Sequence, residues 1–491
     1  MTKPDPSISR RRFLSGTGKV LAAGTFAAGA LDTTASADPM PSQRAALRAL
    51  GRESLRLPGS RVRPDLPIGT DLLPGVDHIV VLMLENHSFD NLFGMLGRGD
   101  GFRLNRHGRP TATNPYSDGR IQHAFRMPTT CQLPGRPSQS WTASHNSFNN
   151  GENDGFVSTV IGVGTSQIVG GVAMGYWTGD DLPFTYSLAR SFPIADRWFS
   201  SLLGQTHANR RYLIGATSVG LTRTVNPTTP AGAAALTSPV PAAGTIFNQL
   251  DLHGISWANY AALLPFGATP LLYPVNNQTT EAAHAKPFAQ FFTDAAAGAL
   301  PAFTLLDPEY NTQSQENPEN IVVGEAMLAQ VVAALGASPQ WPRTLFVLMY
   351  DEHGGYYDHV VPPPALPPDA IPPSLQPGEV AYDGFARYGF RVPAVVVSPF
   401  AKRHHVSHHV YDHTSVLAML ERKWNLPALT FRDANAHDLT DFLDLDALAD
   451  DRPTFPTLPR LAAPGNTPAA LACSVTGPGT IPPPGSISDE R

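Results

Sequence analysis

The stretch TLFVLMYDEHGG, residues 344–355, decides how this chain is read, together with its counterpart HIVVLMLENHS, residues 78–88. In each, a run of apolar strand formers stops abruptly at acidic, amide and imidazole side chains. An unbroken apolar run is the mark of a parallel strand buried on both faces, whereas a half-exposed strand alternates. Two further runs, PAFTLLD (301–307) and VPAVVVSP (392–399), have the same character. Between the first of these and residue 344 lies ENIVVGEAMLAQVVAALGAS, whose apolar residues recur at three-to-four spacing. It reads as a helix ended by Gly336. YDHTSVLAMLERKWNL (411–426) reads as another helix, with Asp412 or Thr414 as its N-cap. Strand, helix, strand, helix implies an α/β fold with a largely parallel central sheet flanked by helices. The stretch VVPPPALPPDAIPPSLQPGEV (360–380) fits neither a sheet interior nor a helix and reads as a proline-stiffened loop.

The C-terminal edge of such a sheet is where ligands bind. Glu85, Asp351 and Glu352 would meet there, and three carboxylates held together repel unless a cation lies between them. One bound divalent metal removes that penalty. Carboxylates and the Asn86 amide are hard ligands suited to Mg, Ca or Mn, with Zn and Fe left open. Gly354 and Gly355 let the backbone approach a ligand closely. A second element, ADRWFSSLLGQTHANRRYLIGATS (195–218), places Thr206 at the start of a helical stretch. It is a candidate nucleophile there, or simply a helix cap. The histidine-rich KRHHVSHHVYDHTS (402–415) reads as a solvated loop, and Asp358-His359 as a brace for the Gly354-Gly355 turn.

The composition is that of a globular protein: 491 residues, 42% hydrophobic and 15% charged, with 48 Pro and 42 Gly for long stiff loops. Residues 1–37 hold five Lys/Arg and two Asp/Glu, which leaves 30 cationic and 39 acidic groups, a net of −9. That balance argues against a nucleic-acid partner and gives no broad pull toward anionic membranes. The N-terminal SRRRFLSGTGKVLAAGTFAAGALDTTASA has an arginine pair, a short apolar stretch and the small-residue pattern Ala35-Ser36-Ala37. It reads as a twin-arginine export signal over residues 1–37, with the export machinery as a partner and a periplasmic or secreted destination. Its apolar stretch is too short for a permanent membrane span. Residues 38–75 read as a leader, 76–451 as the catalytic body and 452–491 as a Pro/Gly-rich tail. Cys131 and Cys473 could form one disulfide in an oxidising compartment, but their separation in sequence says nothing about their distance in space.

HIVVLMLENHSFDNLFG, WTGDDLPFTYSLARSFPIADRWFSSLLGQTHANRRYLIGATS and SPQWPRTLFVLMYDEHGGYYDHVVPP resemble the signature blocks of the bacterial phosphoesterase family. That family contains exported phospholipases C and acid phosphatases of the alkaline-phosphatase superfamily. The resemblance runs from about residue 76 to about 430. It implies an alkaline-phosphatase-like fold and a phosphoric ester hydrolase. Glu85, Asn86, Thr206, Asp351 and Glu352 match metal ligands, with Thr206 also the nucleophile. Asn209 matches a phosphoryl-oxygen ligand, which Arg210 could assist, and His145 matches a phosphate-pocket histidine that could protonate the leaving group. Two departures stand out. Gln205 and Ala208 replace the prolines usual in the nucleophile motif, and Asn317 stands where many members carry a histidine. Asn can donate a hydrogen bond to a phosphoryl group but cannot act as an acid. The implied substrate is a phospholipid head-group ester, the alternatives being a phosphomonoester or, in another class, binding of a metal and an anion without turnover.

Overall fold

The apolar runs all become strands of one sheet. The computed structural model describes residues 40–132, 137–159, 167–226, 241–262, 282–310, 312–317, 319–465 and 481–486, with Thr229, Gly232, Ala234 and Cys473. The signal expected over residues 1–37 lies outside the described residues. The strands are β1 (His78–Leu84), β2 (Ile194–Ala195), β3 (Trp257–Ala261), β4 (Ala285–Pro287), β5 (Phe303–Asp307), β6 (Thr344–Tyr350), β7 (Ala394–Val397) and β8 (Val406–Ser407). Their spatial order is β8-β2-β7-β6-β1-β5-β3-β4. β1 runs parallel to both β6 and β5, whereas β7 is antiparallel to its neighbours. The sheet is therefore largely parallel, as expected. Ile79–Leu84 and Leu345–Tyr350 are wholly buried, which accounts for their lack of alternation. Each such side chain contributes roughly 1.5–3 kcal/mol through burial.

Among the described helices that precede β3 are α1 (Pro41–Ala49), α2 (Phe89–Phe93), α3 (Trp141–Phe148), α4 (Pro183–Ser191) and α5 (Thr206–Gly215). Later come α6 (Ile321–Ala337) and α7 (Thr414–Trp424) among others. α6 passes through Gly336 and ends at Ala337, one residue later than the sequence suggests, with Ser338 as its C-cap. A Cβ at Gly336 would lie 2.7 Å from Leu458, so this glycine admits a packed neighbour. Asp412 accepts from the Thr414 N–H and hydroxyl at the start of α7. The residues ahead of β1 pack on the rest of the chain: Ala46, Leu47 and Leu50 pack on Leu366, and Asn425 donates to the carbonyls of Arg63, Leu66 and Pro67. Past α7 the Phe455 N–H bonds the Pro399 carbonyl and the Gly465 N–H bonds Glu325. Cys131 and Cys473 are joined by a disulfide, Cα–Cα 5.4 Å.

Candidate active site

Three adjacent strands deliver acids at one sheet edge. The register sets Leu84 beside Tyr350, so Glu85-Asn86 and Asp351-Glu352 leave their strands side by side. β5 ends in Asp307, next to Leu306, which pairs with Leu82 of β1. The two central strand ends then lock together. The Asp351 N–H donates to the Leu84 carbonyl at 3.1 Å, and Asp351 Oδ1 accepts from the N–H groups of Asn86 (3.1 Å) and Glu352 (2.7 Å). Asn86 takes a left-handed conformation, φ 68°, which asparagine tolerates better than most residues. Gly354, φ 64°, is required here: a Cβ would lie 2.0 Å from the Asn86 carbonyl oxygen. Gly355 likewise approaches Pro137. These glycines serve chain against chain, not chain against ligand as the sequence suggested.

α5 begins at Thr206, and Gln205 occupies the cap position without a side-chain cap bond. Thr206 Oγ1 instead lies 3.5 Å from Asn86 Oδ1. One turn later Arg210 reaches into the acids: Glu85 Oε1 at 3.2 Å, Asp351 Oδ2 at 3.3 Å and Asp307 Oδ1 at 3.5 Å. Arg210 is 1% exposed and its charge is committed to these carboxylates, so it does not face a substrate phosphate. Asn209 is turned inward as well. Its amide bonds the backbone of Leu202 and Gly204 and holds the turn that presents Thr206. Burial pushes the carboxyls of Glu85, Glu352 and Asp351 above their ordinary range; Arg210 opposes this for Glu85 and Asp351, while Asp351 adds to it for Glu352.

Several buried polar atoms at this edge have no hydrogen-bond partner among the described residues: Glu352 Oε1, His353 Nε2, His413 Nδ1 and Asn317 Oδ1. Such atoms are costly unless a ligand or water meets them. The other His413 nitrogen lies 2.6 Å from the Asp351 carbonyl, and Asn317 Nδ2 lies 3.5 Å from the Tyr356 hydroxyl. Raised carboxyls, an orphaned carboxylate oxygen and a neighbouring amide oxygen together fit a divalent cation. His145 sits apart on α3, its ring between Trp141 and Tyr382 at 4.2 and 4.1 Å. Nδ1 pairs with the Trp141 carbonyl and Nε2 lies 3.8 Å from Asp383, while burial lowers its pKa to about 4.

Asp307 and His413 also reach this edge; the sequence reading did not name Asp307 and left His413 out of the catalytic set. Asp307 carried the same signal as Glu85, an apolar run ending in an acid. Asp358-His359 does not brace the glycine turn; both bond elsewhere, to Arg391 and to Asp90 and Asp100. In the histidine-rich loop, His405 pairs with Asp441 and His408 with Asp196.

Residues 76–427 match the sequence profile of the Phosphoesterase family. The chain is 29% identical over 450 residues to phospholipase C B of Mycobacterium tuberculosis, covering 82% of this chain and 84% of that protein. It is 30% identical over 409 residues to non-specific phospholipase C6 of Arabidopsis thaliana, covering 78% and 75%. Among solved structures it resembles a protein of the alkaline phosphatase superfamily from Vibrio parahaemolyticus, at 12% identity and a TM-score of 0.36 over 77% and 73% of the two chains. That last likeness is too slight to argue from. The acids at the sheet edge and the Thr206 turn fall inside the matched span, and the chain belongs to the phosphoesterase family.

Proposed function

We propose that this phosphoric ester hydrolase is an exported, metal-dependent phospholipase C that works through a phospho-threonine. The carrying observation is the meeting of Glu85, Asp351 and Glu352 at one buried edge with Thr206 Oγ1 3.5 Å from Asn86. Two relatives named as phospholipases C, each matched over three quarters or more of its length, support the substrate class. Glu85, Asn86, Thr206, Asp351 and Glu352 would hold the cation. When bound, it supplies positive charge that loosens the Thr206 proton and offsets charge on the phosphoryl oxygens.

The chain's own residues do the rest. Thr206 Oγ forms the bond to phosphorus as the bond to the diacylglycerol oxygen breaks and that oxygen takes up a proton. Water then displaces Oγ and returns a proton to it. The N–H groups at the start of α5 face the negative oxygens, Asn209 holds the turn, and Arg210 keeps Glu85 and Asp351 in place. Asn317 offers its amide to the phosphoryl group. His145 is a neutral ring at neutral pH, and its part in leaving-group protonation depends on Nε2 gaining a proton beside Asp383. Export by the twin-arginine route rests on residues 1–37; no helix among the described residues is long and apolar enough to cross a membrane.

The test assays phosphatidylcholine and a soluble phosphomonoester side by side on mature protein of known metal content. Release of phosphocholine and diacylglycerol, lost with chelator and in Thr206→Ala, is the expected result. Turnover of the monoester alone would move the assignment to a phosphatase. Turnover of neither, with metal and phosphate still bound, would favour a binding protein.

A further inference from the structure

Nine large apolar side chains are exposed among the described residues; six, Leu252 the most exposed, lie apart along the chain, and three share one segment. Among the described residues, Val361, Val380 and Tyr382, exposed by 41%, 57% and 41%, all belong to the segment that contains the proline-stiffened loop. That segment is fastened over α3, the helix bearing His145. Trp141 Nε1 donates to the Val380 carbonyl at 2.8 Å, and the Tyr382 ring stacks on His145 with an interplanar angle of 9°. Tyr382 is held in a left-handed conformation, φ 47°, with one face on the histidine and much of the rest in solvent. Arg387 ties the two ends of the loop together, donating to the Pro362 carbonyl at 3.1 Å and to Asp383 at 2.7 Å, with its guanidinium 4.3 Å over the Phe148 ring. α3 in turn abuts the candidate site. A Cβ on Gly204 would lie 3.7 Å from Trp141, and Gly355 packs on Pro137.

Residues 361–382 carry two acids, Asp369 and Glu379, and no Lys, Arg or His, and the acids of this stretch are held in place by hydrogen bonds. Asp383 is paired with Arg387, Asp369 accepts from Thr217 and the Ile371 N–H, and Glu379 accepts from the Gln376 N–H. The chain as a whole is acidic, net −6. An anionic surface would be repelled, and a surface with no net charge would not. Valine and tyrosine exposed on a stiff backbone suit the boundary between head groups and acyl chains, because little conformational freedom is lost on seating them.

We propose that the Val361–Tyr382 segment seats the protein on a zwitterionic lipid surface, so that the site beside α3 meets head groups in place. This rests on the phospholipase reading above for its biological sense, and its test separates the two. Binding to phosphatidylcholine vesicles is measured by flotation in the Thr206→Ala background, with and without V361D/V380D. Turnover is measured in the otherwise native chain on the same vesicles and on p-nitrophenylphosphorylcholine, a soluble ester that needs no surface. We expect V361D/V380D to lower vesicle binding and vesicle turnover at least ten-fold while the soluble ester is cleaved at the native rate, which also shows that the variant is folded. V361W/V380W should bind vesicles more tightly. Vesicle binding and turnover unchanged in V361D/V380D would overturn the proposal. So would binding that appears only when anionic lipid is added. If vesicles are bound through these residues while neither ester is cleaved, the docking surface stands and the phospholipase reading falls.

Discussion

Two of the acid–arginine clusters buried among the described residues are built to opposite ends. Around Arg391 the groups present are Asp90, Asp358 and His359, whose ligand atoms lie within 4.8 Å of one another, close enough in principle to hold a cation. The guanidinium already fills that space: Nε to Asp358 at 2.8 Å, Nη2 to Asp90 at 3.1 Å, Nη1 to the carbonyls of Asp100 and Asp196. His359 completes it at 2.7 Å from Asp90. Burial works against a charge on His359, yet the Asp90 bond and the nearby carboxylates outweigh burial and hold its pKa above the ordinary value. Around Arg210 the contacts are longer, 3.2 to 3.5 Å, and Glu352 keeps an oxygen without a hydrogen-bond partner among the described residues. A saturated cluster is a structural fastening; an unsaturated one is prepared for something that arrives later.

Four experiments press on this contrast. The largest effect should come from Thr206→Ala, which loses ester hydrolysis by about a thousand-fold or more with the melting temperature unchanged. Loss of both together would mean that Thr206 is a fastening after all. Arg391→Ala strands two buried carboxylates and should cost about 3–5 kcal/mol in urea unfolding, with metal stoichiometry intact. Altered metal content in that variant would erase the distinction between the clusters. Glu352→Gln should do the reverse, lowering bound metal by at least ten-fold. Because burial raises the Glu352 pKa, the native fold without metal loses stability as pH rises above the ordinary carboxyl range. Chelated Glu352→Gln at pH 8 should therefore be at least as stable as the chelated native chain. The smallest effect concerns His87 and His145, whose pKa values burial lowers from 6.5 to about 4. Between those values the unfolded chain binds more protons, so stability should fall as pH drops from about 6.5 toward 4. His145→Gln should flatten that fall measurably in urea midpoints taken across the window.

What could be read in the sequence was whatever depends on local pattern. β1, β5 and β6 announce themselves because strands buried on both faces are apolar throughout, and their terminal acids follow at once. β3, Trp257–Ala261, carries Asn259 mid-strand and gave no such signal, though the buried amide is bonded to Asp307. The reversed direction of β7 was invisible too, since a short apolar run looks the same in either sense. The helix start at Thr206 was legible in the residues; the choice between cap and nucleophile was not, and only the family resemblance pointed to the nucleophile. The inward turn of Asn209 and Arg210 was not legible either, because whether a polar side chain meets a ligand or its own backbone depends on elements far away in the chain. Asp358-His359 shows the same limit: its partner Arg391 comes from another segment.

Gly354 sits 2.0 Å, by the position its missing Cβ would take, from the carbonyl of a left-handed Asn86. The two blocks that announce the fold are thus not free to drift apart one substitution at a time. An alanine at 354 must displace Asn86, and a β-branched residue at 86 would resist the backbone turn that makes room for Gly354. Variation at either place is filtered by the other, so their joint effects in a double-mutant cycle should be strongly non-additive. A laboratory search for new specificity would do better to leave both untouched and diversify the exposed loop beyond residue 360.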